Sequence, residues 1–430
     1  MEISSLSPIV GPLSGGNTVT ITGTKFTGAT SVTFGGVPVP AFTINSATQI
    51  TVSVPAGLSP GQVDVTVTTP SGTVTVVNAY AYLQGDFASG DGTTGNPYVI
   101  ADAEQLDKVR DHLDAHFVLS GDIDLGVAPY NTGSGWTPIG TQDNPFTGTF
   151  DGGGNSIGGL YINGEQKIGL FGSIAGDAEI SNLALENADV TSTFGITGIL
   201  VGYMDGGTIE DSHVTGSVTG DGINVGGMVG YMRAGKITDS SAEGEITNES
   251  DYTGGLVGAM DRDAEMFGSF ADTTINGKGY VGGLVGTNLG SIEQSFAKGS
   301  VQSNWIYLGG LVGKNESGGT ISQSYSWSAV TGGTEDVAGL TGYNGGNVEE
   351  SYATGYVNTS ASAQGGLIGA NIGTINSSYY DVDTTGQSDT GKGTPLTTSE
   401  MKQQASYSGW DFTNVWHIQE GSGYPTLQWE

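Results

Sequence analysis

The sequence predicts an all-β protein: a small antiparallel β-sandwich followed by a right-handed parallel β-helix, or β-solenoid. Three observations carry this. A motif close to Gly-Leu-Val-Gly returns eight times, from Gly169-Leu170-Phe171-Gly172 through Gly255-Leu256-Val257-Gly258 to Gly366-Leu367-Ile368-Gly369. Its large apolar second residue recurs at spacings of 30, 28, 28, 28, 27, 29 and 27, and so regular a period marks a stacked repeat. Aligning the units then produces apolar columns. Ile209, Ile237, Met266, Ile292, Ile321, Val348 and Ile375 form one; Val218, Ile246, Ile275, Val301, Val330 and Val357 form another; the Leu or Met of each motif forms a third. A single coil cannot bury its own apolar face, so stacked coils must share one core. The glycines are expected to turn the chain at each corner with positive φ.

Residues 1–83 form a separate unit. Val19-Thr20-Ile21-Thr22, Val32-Thr33-Phe34, Ile50 to Val54, Val63 to Val67 and Val74 to Val76 alternate apolar and polar residues. Turn residues separate them at Ser14 to Asn17, Gly35-Gly36, Pro55 to Gly57 and Pro70 to Gly72. That spacing predicts the sandwich. The pattern from Pro8 and Gly11-Pro12 through Val19-Thr20-Ile21-Thr22-Gly23 to Val32-Thr33-Phe34-Gly35-Gly36 resembles the IPT/TIG immunoglobulin-like domain. Some relatives of that domain contact DNA, but here Lys25 is the one basic residue in the first 83. A spacer role is what the resemblance implies.

Residues 84–95 are rich in Gly, Asp and Ser and are expected to be a linker. Residues 96–168 then read as a cap and entry coils. Asp102 suits an N-cap with Gln105 three residues on, and Leu106, Val109 and Leu113 share one face of the helix this predicts. The repeats occupy 169–380, and 381–430 close the solenoid. Leu396 and Met401 flank a short capped helix as a hydrophobic staple. Trp410, Phe412, Trp416, Tyr424, Leu427 and Trp429 form an aromatic plug expected over the last coil. Units such as Gly319-Thr320-Ile321-Ser322-Gln323-Ser324-Tyr325 and Gly346-Asn347-Val348-Glu349-Glu350-Ser351-Tyr352-Ala353-Thr354-Gly355 resemble the GLUG repeats of exported bacterial and archaeal surface proteins. On that resemblance, the chain belongs outside the cell or on its surface.

Composition bounds the partners. Against 44 acidic residues stand 12 Lys and Arg, a formal net charge of −32. Nothing here could neutralise a run of phosphates, which excludes nucleic acid as a partner. With no Cys, disulfides and zinc-thiolate sites are excluded. No apolar run reaches the length of a membrane-spanning helix. No secretory leader is visible ahead of the pattern that begins at Met1-Glu2-Ile3, so the expectation is either that Met1 is not the natural start or that a leader has been removed.

Three sets of candidate site residues stand out. One residue after a repeated Ser come His213, Ser241, Phe270, Phe296, Tyr325, Tyr352 and Tyr379. The expectation is an interior or half-buried stack. The alternative is an exposed ladder, Phe270, Phe296, Tyr325, Tyr352 and Tyr379, that a sugar chain could lie on, and His213 and Ser241 in the same column favour exposure. Asp211 and Asp239 share a column at a spacing that would suit a glycosidase pair, against the bland reading of a solvated acidic face. Asp122 with Asp124, Asp261 with Asp263 and Asp381 with Asp383 offer oxygen ligands of the kind Ca²⁺ takes, although none matches an EF-hand. No cofactor is required by any pattern. The expected function is non-enzymatic: an exported protein acting in adhesion or in filament or matrix assembly, with a rigid solenoid presenting a binding face. Its partner would be a surface glycan, a protein or another copy of itself. The alternative is a carbohydrate-binding or polysaccharide-degrading β-helix protein.

Overall fold

The computed structural model describes residues 1–83 and 85–430; Gln84, the first residue of the expected linker, lies outside them. The chain divides into two units, Met1–Ile100 and Ala101–Glu430.

The first unit is the expected sandwich. One sheet pairs Glu2–Ser7, Thr18–Thr24, Gln49–Ser53 and Phe42–Ser46; the other holds Val10–Pro12, Gly72–Leu83, Gly61–Thr69, Ser31–Phe34 and Val37–Pro38. Val19, Ile21, Val32, Phe34, Ile50, Val65 and Val67 alternate inward and are buried between the sheets. The edge strands Glu2–Ser7 and Val10–Pro12 lack that alternation, and the sequence pattern does not reveal them. Val10–Pro12 also breaks the antiparallel expectation by pairing parallel to the end of Gly72–Leu83. The rest of the expected linker is folded rather than free. Ala88 N–H donates to Val99 O at 2.9 Å, and the Phe87 and Tyr98 rings stack at 4.3 Å.

The second unit is a parallel β-helix. Its columns pair residue for residue as the period demands: Ile209 with Ile237, Met266 with Ile292, Ile321 with Val348. Val218, Ile246, Ile275, Val301, Val330 and Val357 likewise stack in register. All three columns are buried except at Ile375, half-buried in the last coil. Truncating any member leaves a cavity between fixed neighbours, because the coil above and the coil below cannot both move in.

Polar ladders run between the apolar ones. Ser212, Ser240, Ser269, Ser295, Ser324, Ser351 and Ser378 are all buried. Each hydroxyl from Ser240 onward accepts the backbone N–H of the serine one coil earlier at 3.1–3.2 Å. Each also donates to the carbonyl two residues back, as Ser295 does to Glu293 O at 2.8 Å. Asn288, Asn315, Asn344 and Asn371 form a second ladder, each amide donating to the next at 2.8–2.9 Å. These ladders satisfy backbone groups that the corners would otherwise strand in the interior.

The glycine expectation needs correcting. Among the described residues, no glycine of the eight motifs has positive φ. They are small because backbones meet there: a Cβ on Gly258 would lie 2.5 Å from Gly230 O and 2.7 Å from Val225 N. Within the coils positive φ falls on other glycines, such as Gly216, Gly244 and Gly299, and on the residue before each ladder serine, including Asp211, Asp239, Gly268, Gln294, Gln323 and Glu350.

Capped or edge-bonded segments flank the coils on both sides in sequence. The helix after Asp102 is shorter than its pattern predicts, Ala103–Lys108 followed by the 3-10 turn Val109–Asp111, with Asp102 accepting from Gln105 N–H at 2.9 Å. Leu106 and Val109 are buried as expected, and Leu113 is half-buried. At the far end Asp389 accepts the N–H of Gly366 at 2.8 Å, and Lys392 Nζ donates to Gln364 O and Gly369 O. A lysine on the last coil's carbonyls removes an edge on which another chain could pair.

The ladders make a stability prediction. Ser295→Ala strands the Ser269 N–H and is expected to cost about 1–3 kcal/mol. Leu284→Ala, opening a cavity in the motif column, is expected to cost about 2–5 kcal/mol. Ser300→Ala, outside both ladders, is expected to stay within about 0.5 kcal/mol of the parent. Urea midpoints at constant m-value measure all three.

Candidate functional site

The Ser-aromatic column stacks as its spacing implies but is not an open surface. Phe270, Phe296, Tyr325 and Tyr352 lie 4.9, 4.8 and 5.0 Å apart, centroid to centroid, with planes within 15°. The rings belong to an outer cluster, separate from the three interior columns, that includes Met401, Tyr407, Trp410, Trp416 and Leu427. Tyr325 and Tyr352 are fully buried, Phe296 and Tyr379 nearly so, and Phe270 is half-buried.

The reason is the C-terminal segment. The short helix Thr398–Met401 starts with the expected capping box between Thr397 and Glu400, and Leu396 and Met401 join the same cluster. Beyond it the chain does not plug the last coil, as expected from sequence, but runs back along the flank. The Trp429 ring lies 5.6 Å from Phe296 and its Nε1 donates to Gln294 O at 3.1 Å. The Glu430 carboxylate accepts from Tyr325 Oη at 2.9 Å. Tyr352 Oη donates to Pro425 O, and Trp327 Nε1 donates to Tyr352 Oη at 2.9 Å. The cover reaches as far as the aromatic members and leaves His213 and Ser241 to bond each other at 2.7 Å. The five rings proposed from sequence as a sugar platform are therefore already occupied.

The carboxylate candidates are also placed. Asp211 and Asp239 are exposed neighbours on the corner that takes positive φ. Partial desolvation, then the Asp211 charge, raise Asp239 above the ordinary carboxylate range, opposed by Lys236. Farther along that column the acids give way to a side-chain ladder, Gln294 to Gln323 at 3.2 Å and Gln323 to Glu350 at 3.0 Å. Among the calcium candidates, Asp122 accepts from Ser156 N–H at 2.8 Å and Asp124 from Gly126 N–H at 2.7 Å. Asp381 is buried; it caps the turn Val382–Thr385 and accepts from Thr398 and Tyr424 hydroxyls, both at 2.7 Å. Asp383 accepts the Thr398 N–H at 2.9 Å. Asp261 accepts from Arg262 N–H and from Tyr231 Oη, while Asp263 is exposed. Asp102, Glu104, Asp122 and Asp124 line one depression, but no group of three or more His, Asp or Glu among the described residues is arranged to hold a metal ion.

A different flank carries half-buried tyrosines, Tyr231, Tyr252, Tyr280, Tyr307 and Tyr343, beside the buried Tyr203. Two outer columns straddle the Gly-Leu-Val-Gly corner. One holds Tyr203, Tyr231, Ala259, Thr287, Lys314 and Tyr343 in register. The other runs from Lys167 and Ile196 through Asn224 to Tyr252, Tyr280 and Tyr307. The bulky residue changes column along the solenoid: Tyr231 stands beside Asn224, whereas Tyr252 stands beside Ala259. Tyr252 and Tyr280 lie 4.6 Å apart and Tyr280 and Tyr307 4.8 Å apart. Lys314 Nζ sits 5.1 Å from the Tyr307 ring and 2.7 Å from Glu316. Tyr252, Tyr280 and Tyr307 all hold positive φ, a conformation bulky residues rarely take. Tilted ring contacts between successive tyrosines, at interplanar angles of 40° and 47°, offset part of that strain, by about 0.5–1.5 kcal/mol per pair.

A cavity of about 560 Å³ opens where the columns exchange. Tyr203, Tyr231 and Tyr252 wall it, Ala259 and Thr287 lie where a ring would otherwise stand, and Asp261 lines it. Tyr231 Oη donates to Asp261 at 3.2 Å; burial and that carboxylate push its pKa up to about 12, so it remains a donor. A second depression of about 410 Å³ adjoins the first, sharing Gln142 and Lys167, whose amide and ammonium meet at 2.6 Å. Sequence reading missed this site. Its signal was the Tyr-x-Gly-Gly that precedes the motif in three successive units, Tyr252, Tyr280 and Tyr307.

Residues 1–82 match the IPT/TIG domain and residues 277–302 match the GLUG motif. The chain is 38% identical to a protein of Evansella cellulosilytica described as a Gly-rich membrane protein, over 79% of this chain and 45% of that one. It is 37% identical to halomucin of Haloquadratum walsbyi over 27% of this chain and 1% of halomucin. The chain thus spans less than half the length of these curated relatives. Among solved structures it is similar, at 21% identity and a TM-score of 0.46, to a Bacteroides ovatus protein described as an immunoglobulin A1 protease, covering 80% of this chain and 96% of that one. The chain carries an N-terminal IPT/TIG domain and, in the solenoid behind it, a GLUG motif.

The C-terminal cover makes a pH prediction. Burial, then neighbouring phenols, raise Tyr325 and Tyr407 well above the ordinary tyrosine range; burial likewise raises Tyr352. Folded, these phenols keep protons that the unfolded chain releases from about pH 10. Their contribution is complete below that pH and falls as pH rises toward the folded values. Tryptophan fluorescence during alkaline titration is expected to report loss of the cover above about pH 10, with no such change between pH 6 and 9.

Proposed function

We propose that this chain, an IPT/TIG domain followed by a GLUG-bearing parallel β-helix, is part of an exported surface protein that acts without catalysis, in adhesion or matrix assembly. The solenoid serves as a rigid support for a binding face. The observation that carries this reading is the uniformity of the coils. Each follows the last in register, with spacing varying by at most three residues, so no long loops build a catalytic groove over the repeats. The surface assignment draws on the Evansella relative's description as a membrane protein. Among the described residues no helix is long and apolar enough to cross a membrane.

A rigid support that is not consumed in a reaction needs stability and solubility more than convergent chemistry. The ladders supply the first and the net charge of −32 the second. The polysaccharide-degrading alternative would rest on Asp211 and Asp239, with the raised Asp239 as acid.

Incubation with a panel of acidic and neutral polysaccharides, followed by reducing-end and unsaturated-product assays, separates the two readings. The expected result is no product release from the parent chain, with beads coated in it retained on cells or matrix. Product release that disappears in Asp239→Asn would instead establish the catalytic reading.

A further inference from the structure

The cavity at the column exchange has a lining that narrows its ligand to one chemical class. We propose that it is a binding site for an uncharged oligosaccharide, with one sugar ring held between Tyr231 and Tyr252. This rests on the reading of the solenoid as a support for a binding face.

The size comes first. About 560 Å³ falls within the range of pockets for small ligands and is far too small for a folded partner. The walls come next. Tyr252 packs against Tyr280 on one side, the rings tilted by 40°, and its column neighbour on the other side is Asn224, too small to cover it. An aromatic face left open beside a polar edge suits a pyranose, which has an apolar C–H face and a hydroxyl rim. The polar groups complete the match. The Asp261 carboxylate accepts one hydrogen bond from Tyr231 through Oδ2 and one from Arg262 N–H through Oδ1, so lone pairs remain for hydroxyls. The Asn224 and Gln142 amides lie on the same lining.

Other classes fit less well. A wholly apolar ligand would desolvate Asp261 without replacing its hydrogen bonds. An anionic ligand would meet Asp261 and Glu316 within a chain of net charge −32, and the one cation in the lining, Lys167, is engaged with Gln142. A cationic ligand would compete with Lys167, which already sits 5.2 Å from the Tyr203 ring. The adjoining depression of about 410 Å³ shares Lys167 and Gln142 and leaves room for the ligand to continue along the solenoid, which is why an oligomer rather than a single sugar is proposed.

Calorimetric titration of the full chain tests this, with uncharged hexasaccharides of glucose, xylose, mannose and N-acetylglucosamine and with hexagalacturonate as the charged probe. At least one uncharged probe is expected to bind, with affinity lowered tenfold or more by Tyr252→Ala. Asn224→Tyr, which places a ring in the cavity from the same column, is expected to abolish binding while leaving the circular dichroism of the β-helix unchanged. Tyr343→Ala, on the same flank but outside the cavity, should bind as the parent does. Binding of hexagalacturonate alone would overturn the proposal, as would binding that survives both cavity variants. Failure of every probe would also overturn it, while retention of coated beads on cells would leave the surface-support reading standing. Shortened probes recovered after titration would reject that reading instead.

Discussion

Coil-to-coil register is the constraint on which the second unit depends. Each residue of a coil sits about 4.8 Å from its counterpart in the next, so a side chain's neighbours are set mainly by the residues about 28 positions away. Apolar residues repeated in register become a shared core. Repeated serines become a chain of hydrogen bonds. Repeated aromatics become a stack. One slipped coil would break all of these together, which is why spacing varies so little from coil to coil. The cost of an αL corner at Gln294, Gln323 or Glu350 is accepted for the same reason: the corner must recur where the serine ladder needs it.

The same constraint decides what could be read from sequence. The apolar columns were legible to the residue, because burial in a solenoid follows period and composition. Asp102, Thr397 and the Leu396–Met401 staple were legible because capping is local. The motif glycines were located but misexplained. Close approach of Gly258 to Gly230 and Val225 comes from one coil meeting the coil before it, and that is a tertiary fact. The fate of the aromatic column was illegible for a related reason. Spacing shows that Phe296, Tyr325 and Tyr352 stack; it does not show that Trp429 and Glu430 return to cover them. His213 and Ser241 mark where the cover is absent, and that was the one local hint.

The tyrosine flank shows the converse case. Its members are plain in the sequence, but a period of about 28 residues relates positions within one column and not across two. The cavity belongs to two columns, seven residues apart along the chain, and arises where the large residue passes from one column to the other. Tyr231 beside Asn224 becomes Tyr252 beside Ala259, and the space between is neither an insertion nor a loop. A solenoid of uniform coils can thus acquire a recess by substitution alone, without disturbing the register that holds it up.

The returning C-terminal segment also alters how the solenoid would bear load. A stack held only by nearest neighbours yields from its end, one coil at a time. Here a pull applied at Glu430 enters the structure at Tyr325 and, through Trp429, at Gln294, well inside the stack. The last coils lie off the path of the force until the cover has peeled from Phe296 back to Trp410. The chain's most aromatic stretch thereby acts as a strain relief, in the sense of a cable clamp, and the terminal coils are the part it protects.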